Sequence, residues 1–192
     1  MRRLRNADFG LRGVNRTDAL PHGRATAPIL NRIMVLVSGI GYSNLGDMSF
    51  GRILLSTLAD MEWPAEVQVE DLNFGPIMIY QWLEESPVKF DKAVFVSAAK
   101  RDRQPGTLEV YRWDGKLPGD AEIQARIEEA ITGVIDLDNL LIVCKHFGVL
   151  PDDVRIVEVE PLSDEWGMEF SPVVAARIDE AIQAVRDQAL AT

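Results

Sequence analysis

Hydrophobic and polar residues alternate along this chain with two periods, one typical of strands and one typical of helices. Short runs rich in β-branched residues predict strands at 33–38, 66–70, 93–98, 107–113 and 154–159. Apolar residues at helical spacing predict helices at 49–61, 76–85, 121–131 and 137–147, and a last helix that begins at Ser171. Strands that alternate with helices indicate an α/β fold with a mostly parallel sheet and helices on both faces.

The ends of the predicted elements carry turn and capping residues. The turn signal at 105–106 (Pro-Gly) marks the strand at 107–113 as an edge or hairpin strand. Asp136 is predicted to cap the helix at 137–147, and Gly148 to end it. Ser171 is predicted to cap the last helix, with Pro172 in its first turn.

The composition bounds the class of protein. A chain of 192 residues with 47% hydrophobic residues can bury the core of one domain of ordinary size. No apolar run approaches the about 18 residues that a membrane-spanning helix needs, so we expect no membrane insertion. Without a secretory apolar segment, the expected location is the cytoplasm.

The one cysteine and the histidine near it are predicted to have structural surroundings. A single cysteine, Cys144, excludes an internal disulfide framework and a multi-cysteine zinc site. Cys144 falls on the apolar face of its predicted helix, so we expect it to be buried and inert. His146 is near the end of the same helix, where a surface histidine faces the negative end of the helix dipole.

Charge is unevenly distributed along the chain. Residues 1–30 contain six arginines and two aspartates, a balance of +4, which leaves −14 for the remainder of the total of −10. Because an acidic domain repels phosphate, we expect no binding to nucleic acid. We predict that residues 1–30 form a basic, disordered N-terminal extension or reflect an over-long gene start; the alternative is an arm that docks on an acidic partner. Residues 31–192 are predicted to form one domain.

The loop after the first predicted strand is the first candidate site, because ligands collect at the carboxyl ends of strands in open α/β sheets. Gly39 and Gly41 in this loop invite a dinucleotide-binding interpretation. That fingerprint requires a third glycine at position 44, which is Asn44. The spacing therefore argues against a nucleotide site.

Five short motifs follow one another in a fixed order along the chain. They are GIGYSNLGDMSFG at 39–51, VQVEDLNFG at 67–75, PGT at 105–107, VEP at 159–161 and SP at 171–172. This series resembles the hydrogenase maturation proteases, whose first loop reads G-x-G-N-x-L-x-x-D-E-x-x-G. The resemblance implies a three-layer α/β/α sandwich, phosphorylase/hydrolase-like, with a twisted, mostly parallel sheet.

The resemblance also implies a function. Members of this family are nickel-dependent endopeptidases that remove the C-terminal extension of [NiFe]-hydrogenase large subunits after nickel insertion. The expected partner is therefore a [NiFe]-hydrogenase large-subunit precursor, and the expected role is that of its maturation factor. One alternative is a non-catalytic relative that binds the subunit, or acts as its chaperone, and cuts nothing. Another is an unrelated α/β protein that binds a small anion at the helix after Asp47, against which the negative charge of the domain argues.

The nickel ligands of the family are only partly present. They are a glutamate in the first loop, an aspartate after the second strand and a histidine before a later helix. By the resemblance these positions fall on Met48, Asp71 and Gly133, so Asp71 alone offers a ligand of the usual kind. Nickel is therefore expected to arrive with the substrate. The residues that the resemblance places in the substrate-binding site are Gly39, Gly41, Asp47, Met48, Asp71 and Asn73.

Three of these residues also have a structural interpretation. Asp71 could cap a turn, because aspartate side chains often accept a hydrogen bond from the backbone two residues on. Asp47 could organise its loop or cap a helix, and Met48 could fill an apolar gap at the mouth of the site.

Overall fold

A computed structural model describes residues 32–132 and 136–191 of the chain. The predicted extension at 1–30 and the position of Gly133 lie outside the described residues. The predictions made for them therefore stay predictions.

The described residues form strands and helices that alternate as the sequence predicts. The strands are β1 (Val35–Gly39), β2 (Val67–Val69), β3 (Lys92–Ala98), β4 (Leu108–Arg112) and β5 (Asp153–Val159). The helices are α1 (Phe50–Asp60), α2 (Pro76–Glu85), α3 (Asp120–Ile131), α4 (Leu137–His146), α5 (Pro172–Ala175) and α6 (Ile178–Leu190). A short 3-10 helix, Gly46–Ser49, leads directly into α1.

The strands form one sheet in the order β2-β1-β3-β5-β4. Strands β2, β1, β3 and β5 run parallel to one another, and β4 pairs with β5 in the antiparallel direction. The predicted α/β class, the mostly parallel sheet and the edge position of β4 are thereby confirmed.

Two hydrophobic layers hold the helices on the sheet. Along β1, Val35 and Val37 face a layer that includes residues of α1 and α6, whereas Leu36 faces a layer that includes residues of α2 and α4. This alternation follows from the two-residue period of a strand. Burial of each large apolar side chain contributes about 1.5–3 kcal/mol to folding. The predicted three-layer α/β/α sandwich is confirmed.

Most of the predicted helix ends are also confirmed. Asp136 accepts a hydrogen bond from the Asn139 N–H (3.0 Å) and caps α4. Gly148 follows the end of this helix with a φ of +71°, the left-handed conformation that glycine tolerates best. His146 is exposed, as predicted. Cys144 is buried, as predicted, and burial raises the pKa of its thiol to about 12, which disfavours the reactive thiolate.

The prediction that Ser171 caps the last helix is wrong. Its hydroxyl donates to the Asp47 carboxylate (2.8 Å) and makes no cap on α5. A carboxylate accepts a stronger hydrogen bond than a neutral group does, so the Ser171 hydroxyl bonds to Asp47 and not to the helix end. The last helix is also divided, since α5 ends before Ala176 and Arg177 and α6 begins after them.

In the described parts of the chain, every helix is too short or too polar to cross a bilayer.

Candidate functional site

Loops from several strands meet at the carboxyl edge of the parallel sheet. The loop after β1 covers residues 40–49, and the loop after β2 covers residues 70–75. The segment 160–171 follows β5 at the same edge. The substrate-binding residues predicted from the resemblance lie at the end of β1 and in the first two of these loops.

Three glycines, at the end of β1, in the first loop and at the start of α1, allow α1 to pack closely on the ends of β1 and β3. A Cβ atom on Gly39 would lie 1.9 Å from the Gly51 carbonyl oxygen, and one on Gly51 would lie 2.2 Å from the Val96 oxygen. A Cβ atom on Gly41 would lie 2.7 Å from the Met48 oxygen. No side chain fits at these distances, so the spacing of the glycines is explained by packing. Whether Gly39 and Gly41 also contact a substrate stays a prediction.

Asp47 joins the first loop to the segment after β5. Its side chain is fully buried. One carboxylate oxygen accepts hydrogen bonds from the backbone N–H groups of Leu162 (2.9 Å) and Ser163 (3.0 Å) and from the Ser171 hydroxyl (2.8 Å). The other oxygen accepts from the Ser171 N–H (2.7 Å). In this geometry Asp47 organises the loop and has its carboxylate turned away from solvent.

The same two segments also pair through their backbones. The Gly167 N–H donates to the Asn44 oxygen (2.9 Å), and the Gly46 N–H donates to the Gly167 oxygen (3.0 Å). Together with the bonds of Asp47, these contacts fix the first loop against segment 160–171.

Asn73 joins the first loop to the loop after β2. Its side-chain oxygen accepts from the Gly41 N–H (3.0 Å), and its side-chain nitrogen donates to the Gly39 oxygen (2.8 Å). The same nitrogen and the Asn73 backbone N–H donate to one oxygen of Asp71 (2.9 Å each). An amide serves here because it is both donor and acceptor. Asp71 is thereby held beside the end of β1, and it caps a turn, as its structural interpretation anticipated.

Asp71 is exposed and carries a negative charge at neutral pH. Partial burial raises the pKa of its carboxyl, but the hydrogen bonds from Asn73 and the positive charge of Arg52 outweigh that effect and lower the pKa below its ordinary value. The second carboxylate oxygen, which accepts none of these bonds, is left for another group.

Tyr42 stands in the first loop, where the family motif has asparagine, and lies near the negative charges of Asp136 and Glu129. Burial, together with the charges of Asp136 and Glu129, raises the pKa of its phenol above the ordinary value. Tyr42 therefore keeps its proton at neutral pH and can donate a hydrogen bond.

A buried network of charges holds the end of β5. Glu158 is fully buried and accepts hydrogen bonds from Arg101, Arg103 and the Tyr111 hydroxyl. Arg101 also forms two parallel bonds of 2.7 Å with Asp138 near the start of α4. This fork geometry is the strong form of an arginine–carboxylate pair. The network thus connects the loop after β3 with β5 and α4.

The charges of the network shift the ionisation of its members. Asp138, which has the larger effect, and Glu158 both raise the pKa of Arg101 above its ordinary value. Burial, which has the largest effect, and the charge of Glu158 raise the pKa of Tyr111 to about 12. Arg101 therefore stays charged and Tyr111 stays neutral throughout the physiological range.

Two of the sequence motifs meet at this edge. The Gly106 N–H of the PGT turn donates to the Glu160 oxygen (2.8 Å), and the Glu160 N–H of the VEP motif donates to the Thr107 oxygen (2.9 Å). Gly106 has a φ of +81°, and a Cβ atom there would lie 2.8 Å from the Val173 oxygen. The turn therefore packs on α5, and the two motifs have a structural role at this edge of the sheet.

The structure of the chain is similar to solved structures of hydrogenase maturation proteases. A hydrogenase 2 maturation peptidase from a Thaumarchaeota archaeon is 25% identical, with a TM-score of 0.55 over 80% of this chain and 96% of that chain. The hydrogenase maturating endopeptidase HybD from E. coli is 24% identical, with a TM-score of 0.57 over 80% of this chain and 90% of that chain. This chain therefore has the fold of the hydrogenase maturation proteases.

A more distant structure shares the fold alone. The [NiFe] hydrogenase maturation protease HybD from Thermococcus kodakarensis is 14% identical, with a TM-score of 0.55 over 82% of this chain and 99% of that chain. No protein-family model and no curated protein sequence matches this chain. The family resemblance predicted from the five motifs is nevertheless confirmed by structure.

The residues present do not fit the resident nickel site of a hydrogenase maturation protease. Met48 is half-buried and packs against the hydrophobic layer that contains α1 and α6. Gly133 lies outside the described residues, and glycine has no side-chain donor. Among residues 32–132 and 136–191, no three histidine, cysteine, aspartate or glutamate residues lie close enough together to hold a metal ion. Asp71 alone is a poor site for a divalent cation.

Sequence reasoning missed the buried network of charges. Two arginines follow β3 and two glutamates lie at the end of the apolar strand β5, in the run VRIVEVEP. Glutamates in a buried strand require partners, and this signal could have paired them with Arg101 and Arg103. The roles predicted for Asp71, Met48 and Asn73 toward a substrate or metal stay predictions.

Proposed function

We propose that this chain is a maturation factor for a [NiFe]-hydrogenase large subunit, and that the precursor of this subunit is its partner. One observation carries the proposal: the chain matches solved hydrogenase maturation proteases over 90% and 96% of their lengths. The cytoplasm is the compartment in which we expect the chain to meet the precursor.

The geometry of the edge supports a recognition role. The first loop is fixed on two sides, by Asp47 to segment 160–171 and by Asn73 to the loop after β2. A rigid edge loses little conformational freedom when a partner binds, and this preorganisation favours affinity. Asp71 lies on this edge with its charge exposed.

Two alternative activities fit a maturation factor of this kind. In the first form of the proposal it cleaves the precursor, and in the second form it only binds the precursor. Cleavage would depend on Asp71 and on nickel that the precursor itself brings as substrate. The packing of Met48 against the hydrophobic layer supports the second form, because by the resemblance this side chain stands at the position of a carboxylate ligand, and it contacts the core. We therefore propose binding without cleavage as the form that this donor set supports better.

The intact mass of a nickel-loaded large-subunit precursor, incubated with and without this chain, separates the two forms. We expect the mass of the precursor to stay unchanged, because the described residues contain no group of three His, Cys, Asp or Glu residues that could hold a metal ion. The two proteins are expected to elute together in size-exclusion chromatography.

Two variants control this experiment. Asp71→Ala removes the retained carboxylate, whereas Asp152→Ala removes an acid whose side chain is 97% exposed, next to the start of β5 at the opposite edge. Loss of a C-terminal peptide from the precursor, abolished by Asp71→Ala and unaffected by Asp152→Ala, would contradict the form without cleavage and establish a protease.

A further inference from the structure

Arg52 lies on α1 where two surface grooves meet. The first groove has a volume of about 410 Å³ and includes Tyr42, Ser43 and Asn44 in its wall. The second has a volume of about 320 Å³ and includes Asp71 in its wall. Arg52 lines both grooves, which have the size of typical ligand sites.

The guanidinium of Arg52 has no bonded partner in the part of the chain that the structure describes. Within the described residues it forms no ion pair and no hydrogen bond, although it is close enough to Asp71 to stabilise the charged carboxylate. The other arginines of this edge, Arg101 and Arg103, are held by Glu158. Arg52 therefore retains its five N–H donors for a ligand.

The position of Arg52 changes the kind of group that the site can receive. A divalent cation at Asp71 would be repelled by the neighbouring guanidinium. A carboxylate, in contrast, matches the fork of the guanidinium and accepts two parallel hydrogen bonds. Ser43 and Asn44 are exposed in the wall of the first groove and add neutral donors.

We propose that Arg52 binds a carboxylate of the hydrogenase large-subunit precursor in the first groove, so that this edge recognises an acidic group of the partner instead of a metal ion. The inference rests on the proposed function and names the chemistry of its recognition step. The carboxylate lies on the side of Arg52 away from Asp71, because Asp71 would repel it.

The second groove can hold the partner residue that lies next to the carboxylate. Leu55, Ala59 and Val69 give its wall an apolar character. An apolar side chain of the partner fits this wall while its carboxylate contacts Arg52. The ligand is therefore an extended peptide segment with an acidic group beside an apolar residue.

The negative charge of the domain does not oppose this placement at short range. At physiological ionic strength, charges separated by more than about 8 Å are largely screened. The guanidinium contacts the carboxylate directly, so its attraction outweighs that of distant acids. The domain charge instead lowers the association rate for acidic partners, and it does so less at high salt.

The test measures the affinity of the full chain for the large-subunit precursor with three variants. Arg52→Gln removes the charge and the fork, and we expect it to weaken binding about 10- to 100-fold. Arg52→Lys keeps the charge and should have an intermediate effect. Arg112→Gln is the matched control, since Arg112 is exposed, pairs with Asp153 at the opposite edge and should change nothing.

Competition by peptides identifies the source of the carboxylate. The probes are the last ten residues of the precursor as a free acid, as a C-terminal amide, and as a free acid with its Asp and Glu replaced by Asn and Gln. If the amide no longer competes, Arg52 binds the terminal carboxylate. If the peptide without Asp and Glu no longer competes, Arg52 binds a side-chain carboxylate. Either result supports the inference. Equal competition by all three, or by none, overturns it.

Failure of the inference differs from failure of the proposed function. Arg52→Gln that binds the precursor within twofold of the unsubstituted chain overturns the inference alone. An unsubstituted chain that does not bind the precursor at all overturns both.

Discussion

Asp47→Asn is expected to lower the free energy of unfolding by about 3–5 kcal/mol, because the carboxylate accepts four hydrogen bonds in a buried site. The amide offers one oxygen and directs an NH₂ group at donors that have no other acceptor. For a domain of this size the loss corresponds to a fall in Tm of about 10 °C. Thermal and urea unfolding, followed by circular dichroism, measure the change.

Asp60→Asn is the matched control for this prediction. Asp60 is an exposed aspartate at the end of α1, and the same substitution there should change the stability by less than about 0.5 kcal/mol. If Asp47→Asn unfolds at the same temperature as Asp60→Asn, Asp47 does not hold the first loop to segment 160–171.

Glu158→Gln is expected to destabilise the chain by about 3–5 kcal/mol, because it leaves two arginines near a buried position without their shared carboxylate. The side chain of Arg103 is 18% exposed, so water replaces little of the lost pairing. Denaturant unfolding gives the magnitude. Absorbance titration of Tyr111 gives an independent readout, since its pKa should fall when the charge of Glu158 is removed.

Glu109→Gln tests the same arginine from its exposed side. Glu109 pairs with Arg103 (3.1 Å), but its side chain is 53% exposed. An exposed pair contributes less than about 1 kcal/mol, so this variant should remain near the stability of the unsubstituted chain. Equal effects of Glu109→Gln and Glu158→Gln would show that burial of Glu158 is not what makes the network important.

The fold could be predicted from local patterns to a large extent. The run of apolar residues before Gly39 and the buried run at 93–98 gave strands in their observed places. The capping of α4 by Asp136 was predictable because the acceptor and its N–H lie three residues apart. Interactions between residues a few positions apart can be predicted from the sequence.

The errors in the fold come from long-range contacts. Ser171 has the sequence of a cap, but its hydroxyl bonds to Asp47, which is 124 residues away. The helix predicted to continue through Arg177 is divided where the Arg177 side chain donates to the Gly106 oxygen (2.9 Å), 71 residues away. Helix propensity and spacing carry no information about partners at this distance.

The candidate site was predictable where the family motif is kept and obscure where the chain has changed. Asp71 follows β2 as the motif requires, and Asn73 bonds to Asp71, Gly39 and Gly41. Arg52 matches no motif position with a known role, and its relation to Asp71 depends on how α1 packs beside β2. Its position between the two grooves follows from the packing of α1 and is not encoded in the motifs.

The most direct test of the account is the affinity of this chain for the [NiFe]-hydrogenase large-subunit precursor, compared with the mature subunit that lacks the C-terminal extension. A maturation factor must discriminate between its substrate and the finished product. We expect a stoichiometric complex with the precursor at micromolar concentrations and binding to the mature subunit that is at least about tenfold weaker. No complex with the precursor, or equal affinity for both forms, would contradict the proposed function.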